Sequence, residues 1–421
     1  MSEIPALAGD PPEPALQIAA VPRITIQAFC ETAEMAATVN DVAAERRMAR
    51  THIKVHMGGG AAAAEAYRDA PTPNLIIIES SAERAQLLAS LGKLAESCDA
   101  GTKVMIVGHL NDIVLYRELM SQGVSDYLVM PVGVLDLVRA ISALYTHPAA
   151  APLGRVVAVM GCKGGCGAST VAHNIAWSIS RELDLATVIV DLDLAFGTAG
   201  LNFNQDPPQS IADAIFAPDR LDANLIDRLL SKCTDRLSLL SAPATLDQLS
   251  DLPDTAFDGV LDLLRGSVPC IVLDIPHQWT GWSRRALTAA DEVVLVAAPD
   301  LANLRNAKNM VDLMRTLRVH DAVPRLVMNG VGMLKRPEIA VADFAKAVEL
   351  APTATIPFDA KLFGTAANNG QMIGEVEATN KIAGLFNDMA HRVSGRVETR
   401  RVKRTLLSPL VTRLGLRKVA S

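Results

Sequence analysis

Residues 155–170 read RVVAVMGCKGGCGAST, and this stretch decides the fold. Arg155 to Met160 is a strand-like apolar run, Gly161 to Gly167 is glycine-rich, and VAHNIAWSIS, from Val171, has helical spacing. A strand feeding a Gly-rich turn that opens a helix is the context in which backbone N–H groups and a helix N-terminus cradle phosphates. The stretch departs twice from the general G-x-x-x-x-G-K-[ST] pattern: Cys162 stands for the first glycine and Ala168 for the lysine. One charge-assisted hydrogen bond is worth about 1.5–3 kcal/mol, or roughly 10- to 100-fold in affinity, so its loss weakens nucleotide binding while the amide cradle remains. Catalysis is expected to suffer more, because that lysine would also neutralise charge on a transferring phosphoryl group.

Outward from the loop, strand-like runs recur at ATVIVDLD, SLLSA, PCIVLDI, EVVLVAAP, RLVMNG and TATIPF, with helical patterns between them. Upstream, RITIQAF, HIKVH, NLIIIES, KVMIVGH and DYLVM alternate with further helical segments. Such alternation predicts α/β domains with parallel sheets covered on both faces. The Pro- and Ala-rich joint THPAAAPLG divides two of them. The organisation expected is a disordered tail over 1–22, a first domain over 23–145, a linker over 146–154, a second domain over 155–391 and a basic tail over 392–421.

The 421 residues are 50% hydrophobic, 20% charged and 4% aromatic, which excludes a disordered polyelectrolyte and argues against stacking platforms for single-stranded nucleic acid. The net charge of −6 is uneven: the last 31 residues carry +8, leaving −14 on the body. Six cysteines are scattered without a C-x-x-C pair, which reads as a reduced, cytoplasmic protein. The N-terminus shows no signal-peptide pattern, and no window supplies the ~18 apolar residues of a spanning helix.

The spacing K-G-G-x-G-x-S-T resembles the deviant Walker A motif of the MinD/ParA ATPases. The resemblance implies a cofactor, ATP with Mg²⁺, bound by Lys163, Gly164, Gly165, Cys166, Gly167, Ala168, Ser169 and Thr170. Lys163 would be the lysine that reaches across an ATP-sandwich dimer, and Ser169 would hold the metal through its hydroxyl. Asp191 and Asp193, at the end of ATVIVDLD, fall where the family places its switch carboxylates. Asp193 would orient the attacking water and Asp191 would support the Mg²⁺ shell. Asp274 in IVLDIP resembles Walker B. Asn329 and Pro357, at the ends of two later strands, would contact the adenine.

The first domain resembles the receiver domain of two-component response regulators, with GVSDYLVMP beside VLDLVRAI as the nearest local match. The phosphoryl-acceptor position carries Glu79, Cys30 and Glu31 stand where the acidic pair would be, the hydroxyl position is Gly108, and Met130 replaces the lysine. A site without these groups is a poor phosphoryl acceptor, which leaves a docking or dimerisation module. Glu79 as a permanent acidic mimic stays open as a lesser reading.

The pairing of a receiver-like domain lacking its acceptor with a MinD/ParA-type loop lacking its lysine, K-G-G-x-G-A-S-T, resembles the CpaE/TadZ family of Flp (tight adherence) pilus assembly proteins. The resemblance implies a localisation factor that marks an assembly site, often a cell pole. Its expected partners are the pilus secretion ATPase, inner-membrane platform proteins and a second copy in an ATP-linked homodimer; no specific nucleic acid is expected. The basic tail, with Leu406, Leu407, Leu410 and Leu414 among its cations, suits anionic membrane or a protein partner, although Pro409 and Gly415 break its helix. Two other readings stand beside this one: a ParA-like DNA-partitioning ATPase and a nucleotide-independent scaffold. Cys162 and Cys166 read as small loop residues rather than cluster ligands, and His173 and His277 as structural.

Overall fold

The computed structural model describes residues 18–68, 70–99, 101–145, 153–246 and 251–395. Most of the linker, nearly all of the basic tail and residues 1–17 lie outside these. Residues 18–21 pack rather than trail: Val21 is buried and its N–H donates to the Arg47 carbonyl, and Ser142 Oγ donates to the Ala19 carbonyl. The disordered tail expected over 1–22 therefore does not extend through its last residues, because the apolar Ile18 and Val21 cover the first domain's core.

The first domain carries β1 (Thr25–Cys30), β2 (His52–Met57), β3 (Leu75–Ser80), β4 (Lys103–Gly108) and β5 (Asp126–Val129) in one parallel sheet of order β2-β1-β3-β4-β5. The central β3, LIIIES, is buried throughout, as a parallel strand covered on both faces must be. Helices Ala33–Ala44 and Val134–Tyr145 lie on one side, and Arg84–Ala95 and Ile113–Ser121 on the other.

The second domain carries β6 (Arg155–Gly161), β7 (Thr187–Asp191), β8 (Ser231–Lys232), β9 (Leu237–Leu240), β10 (Cys270–Ile275), β11 (Glu292–Ala297), β12 (Arg325–Val331) and β13 (Pro352–Pro357). Their order is β13-β12-β11-β6-β10-β7-β9-β8, parallel apart from the two-residue β8. Apolar layers cover both faces. Helix Ala168–Glu182 packs Val171, Ile175 and Ile179 beside Ile382, Phe386 and Met389 of helix Lys381–Val393. This packing anchors the helix that follows the Gly-rich loop. The ends of β6, β7 and β10 then meet at one edge, where open α/β sheets bind ligands.

The domains meet through ion pairs, largely buried at Arg46, Arg47, Asp291 and Asp321 and more exposed at Arg50 and Asp262. Arg46, in the turn Arg46–Met48, donates to Asp321 and Asp291 of the second domain, Arg47 donates to Asp321, and Arg50 pairs with Asp262. Asp291 precedes β11, so the first domain docks at the edge of the sheet opposite the loop. No helix among the described residues is long and apolar enough to cross a membrane.

Candidate nucleotide site

The loop from Gly161 to Gly167 joins β6 to helix Ala168–Glu182. Gly165 and Gly167 have φ of +78° and +89°, a region in which a side chain is strained. At Gly167 a Cβ would also stand 2.3 Å from Asn329 Nδ2. Among the described residues, the N–H groups of Gly164, Gly165 and Gly167 have no acceptor. They are open donors at a helix N-terminus, the arrangement that receives an anion.

Side chains from the turn after β10, from helix Leu301–Leu317 and from β12 hold the loop's carbonyls. His277 Nδ1 lies 2.8 Å from the Gly161 oxygen, Asn306 Nδ2 donates to the Cys162 oxygen at 2.8 Å, and Asn329 Nδ2 donates to the Cys166 oxygen at 2.8 Å. The Cys162 N–H donates to Val296 O, which ties the loop to β11. Asn329, expected at the adenine, thus spends its amide nitrogen on the loop, and its oxygen has no hydrogen-bond partner among the described residues. Pro357 closes β13 opposite Val331 of β12, on the same edge of the sheet.

Cys162 and Cys166 sit in different apolar layers, one on each face of the sheet. Burial pushes both thiols up, and the described residues hold no group of three or more metal-ligating side chains. Lys163 is half-exposed, with its ammonium 3.9 Å from Asp300. Ala168 packs against the core layer of its own helix.

Behind the loop, Asp191 and Asp274 end adjacent strands and pair in register. Both are buried. Asp191 accepts from the N–H groups of Asp193 and Ala199 at 3.1 Å each, so it closes the turn after β7. Its carboxyl is pushed up to about 7, first by burial and then by the charge of Asp274. His173, on the loop's helix, places Nε2 3.2 Å from Asp274 Oδ2 and receives Asn202 Nδ2 on its other nitrogen. The two buried carboxylates, with the His173 imidazole beside Asp274, form an acidic pair whose charge a divalent cation would relieve, so they fit part of an Mg²⁺ site and not a complete ligand set. Asp193 is half-buried and caps the following turn by accepting from the Phe196 N–H.

The sequence reading took His173 and His277 as structural without placing them, the one beside Asp274 and the other on the loop, and it missed Asn306. The only local signal is a polar side chain next to a strand end or one turn into a helix.

In the first domain Glu79 is fully buried and accepts from the N–H groups of Glu31 and Thr32 and from Thr32 Oγ1, at 2.6, 2.8 and 2.7 Å. Glu31 answers by accepting from Ser81 N and Oγ. The two carboxylates clasp the β1 and β3 ends together. At Gly108 a Cβ would stand 2.1 Å from Tyr127 Oη, whose hydroxyl donates to the Leu110 carbonyl. A tyrosine therefore fills the space beside the missing hydroxyl residue.

No family model matches the chain. A solved CpaE pilus assembly protein from Caulobacter crescentus CB15 is 48% identical, covering 31% of this chain and 100% of that one, with a TM-score of 0.30. The match lies in the N-terminal part. The MinD septum site-determining protein of Synechocystis sp. is 25% identical over 254 residues, 58% of this chain and 91% of its own length. The solved MinD of Pyrococcus horikoshii OT3, complexed with Mg-ADP, is 18% identical, covers 57% of this chain and 98% of that one, and has a TM-score of 0.51, a likeness of fold. A receiver-like domain with a sealed acceptor position, joined to a MinD/ParA-type sheet, places the chain in the CpaE family of pilus assembly proteins.

Proposed function

We propose that this protein is a nucleotide-binding spatial organiser for Flp (tight adherence, type IVc) pilus assembly, with slow or no ATP hydrolysis. The observation that carries this reading is the open set of loop amides at Gly164, Gly165 and Gly167, beside a helix that starts on Ala168 instead of lysine. The cradle favours holding a polyphosphate, and the missing charge disfavours turning it over. ATP is the ligand. The Ser169 hydroxyl with Asp191 and Asp274 would hold Mg²⁺, which would supply charge neutralisation on the phosphates. Thr170 completes the first helical turn behind the phosphates, Asp193 would orient water, and Asn329 Oδ1 with Pro357 would meet the adenine.

Lys163 would leave Asp300 and reach the phosphates of a second copy, making an ATP-linked homodimer. The docking of the first domain opposite the loop supports this, because it leaves the nucleotide edge clear. The two first domains would stand at the outer ends of the dimer, where the secretion ATPase and the inner-membrane platform could be recruited. The protein would work in the cytoplasm, peripheral to the inner membrane through its basic tail and concentrated at a pole.

Equilibrium binding of labelled ATP with Mg²⁺, with sedimentation on the same samples, tests the reading. Binding and ATP-linked dimers in the wild type, loss of both in Gly167→Val and loss of dimers alone in Lys163→Ala are expected. No binding at millimolar ATP sinks it. Ala168 and the self-satisfied Glu79 would then favour the second reading, a nucleotide-independent scaffold.

A further inference from the structure

The loop that lacks its lysine is held from outside. Gly161 and Cys162 are consecutive, and their carbonyls accept from His277 and Asn306, which lie 116 and 144 residues away. A peptide unit whose carbonyl is fixed has its plane fixed, so the following N–H is aimed as well. The first of these units carries the Cys162 N–H, which donates to the Val296 carbonyl and ties the loop to β11, and the second carries the Lys163 N–H, at the entrance to the cradle.

Both donors have a defined orientation. The Asn306 oxygen accepts from Arg305 Nε and Nη2 at 3.3 and 3.2 Å, and a guanidinium only donates, so Asn306 Nδ2 is the atom facing Cys162. A carbonyl only accepts, so His277 carries its proton on Nδ1. His277 follows β10 and Asn306 lies in the second turn of helix Leu301–Leu317, whose cap is Asp300, the residue beside Lys163. One helix thus holds both the Cys162 peptide and the Lys163 side chain.

We propose that His277 and Asn306 are positioning residues of the phosphate loop: they fix its first two peptide units and recover by preorganisation part of the affinity that Ala168 forfeits in charge. Preorganised donors lose less freedom when the ligand arrives, which raises affinity without any new contact. The inference rests on the nucleotide reading above. It adds that the loop's binding strength is set by two side chains outside it.

The test measures the Kd of fluorescent mant-ATP with Mg²⁺ for the full chain, together with melting temperatures in the absence of nucleotide. Asn306→Asp keeps the shape and the Arg305 contact but faces a carboxylate against the Cys162 carbonyl. His277→Ala removes the second donor, and His277→Asn restores an N–H near the Nδ1 position. Asn306→Asp and His277→Ala are expected to weaken binding roughly 5- to 100-fold, with His277→Asn recovering most of the loss. Should Asn306→Asp melt early, Asn306→Ser takes its place. Wild-type affinity in both donor variants overturns the inference and leaves the nucleotide reading standing. A melting point that drops while Kd is unchanged overturns it too, since that is a structural role alone. Absence of mant-ATP binding in the wild type overturns both.

Discussion

Arg46 in the first domain grips both carboxylate oxygens of Asp321 in the second, Nε to Oδ2 at 2.5 Å and Nη2 to Oδ1 at 3.2 Å. The same guanidinium donates from Nη1 to Asp291 at 3.1 Å, and both side chains of the Arg46–Asp321 pair are almost excluded from solvent. Arg265 and Arg318 flank the two aspartates, and these neighbours hold both carboxyls below the ordinary range despite burial. Removing one partner of a buried pair leaves an uncompensated charge and costs about 3–5 kcal/mol. Arg46→Ala should therefore uncouple the domains. Calorimetry is expected to resolve two transitions where the wild type shows one, and a variant that still melts in a single transition at the wild-type temperature refutes this.

Asp191 gives a pH signature. Its folded carboxyl is raised to about 7 from an ordinary 3.8, so the fold favours the protonated form. That contribution is fully present below about pH 4 and is lost as pH rises through 7, with a slope of at most about 1.4 kcal/mol per unit. Urea melts of Asp191→Asn between pH 4.5 and 8 should show a flatter decline than the wild type. The variant pays a constant loss, because the wild-type oxygens accept from two N–H groups, so the slopes are compared and not the absolute values. Equal slopes would remove Asp191 as the titrating group.

The strands and the loop were legible in the sequence because their signals are local. NLIIIES shows its double-sided burial as an unbroken apolar run, and GCKGGCGAST carries its turn, its open amides and its missing lysine within ten residues. The surroundings of the loop were not legible. His277, Asn306 and Asn329 reach it from 116, 144 and 163 residues away, and such pairings have no periodicity. The Arg46–Asp321 contact spans 275 residues and hid for the same reason. Gly108 could be read as a missing hydroxyl, but the tyrosine that fills its space belongs to the neighbouring strand.

Glu79 holds its domain together instead of waiting for a phosphoryl group. Its buried carboxylate satisfies three donors at the mouth of the sheet, so Glu79→Ala leaves all three unpaired and should cost roughly 3 kcal/mol or more. Glu79→Gln keeps one acceptor oxygen and should cost less. Chemical denaturation monitored by a probe in residues 23–145 ranks the two. Incubation with acetyl phosphate should label neither the variants nor the wild type. Equal stability of wild type and Glu79→Ala would return Glu79 to the role of an acidic mimic.

Ala168→Lys is the sharpest test of what the loop lacks. The residue starts the helix that follows the loop, and its methyl packs against the core layer. A lysine there adds one charge-assisted contact to the polyphosphate, worth roughly 10- to 100-fold in affinity. It also adds positive charge where negative charge develops during transfer, so phosphate release should rise by a larger factor than affinity does. Mant-ATP titration and a phosphate-release assay on the same preparation measure both. If affinity rises and turnover does not, the barrier lies with Asp193 and its water, half-buried in the turn after β7, and not with the missing lysine. If neither changes, the amides of Gly164, Gly165 and Gly167 do not face a polyphosphate, and the scaffold reading takes the place of the nucleotide switch.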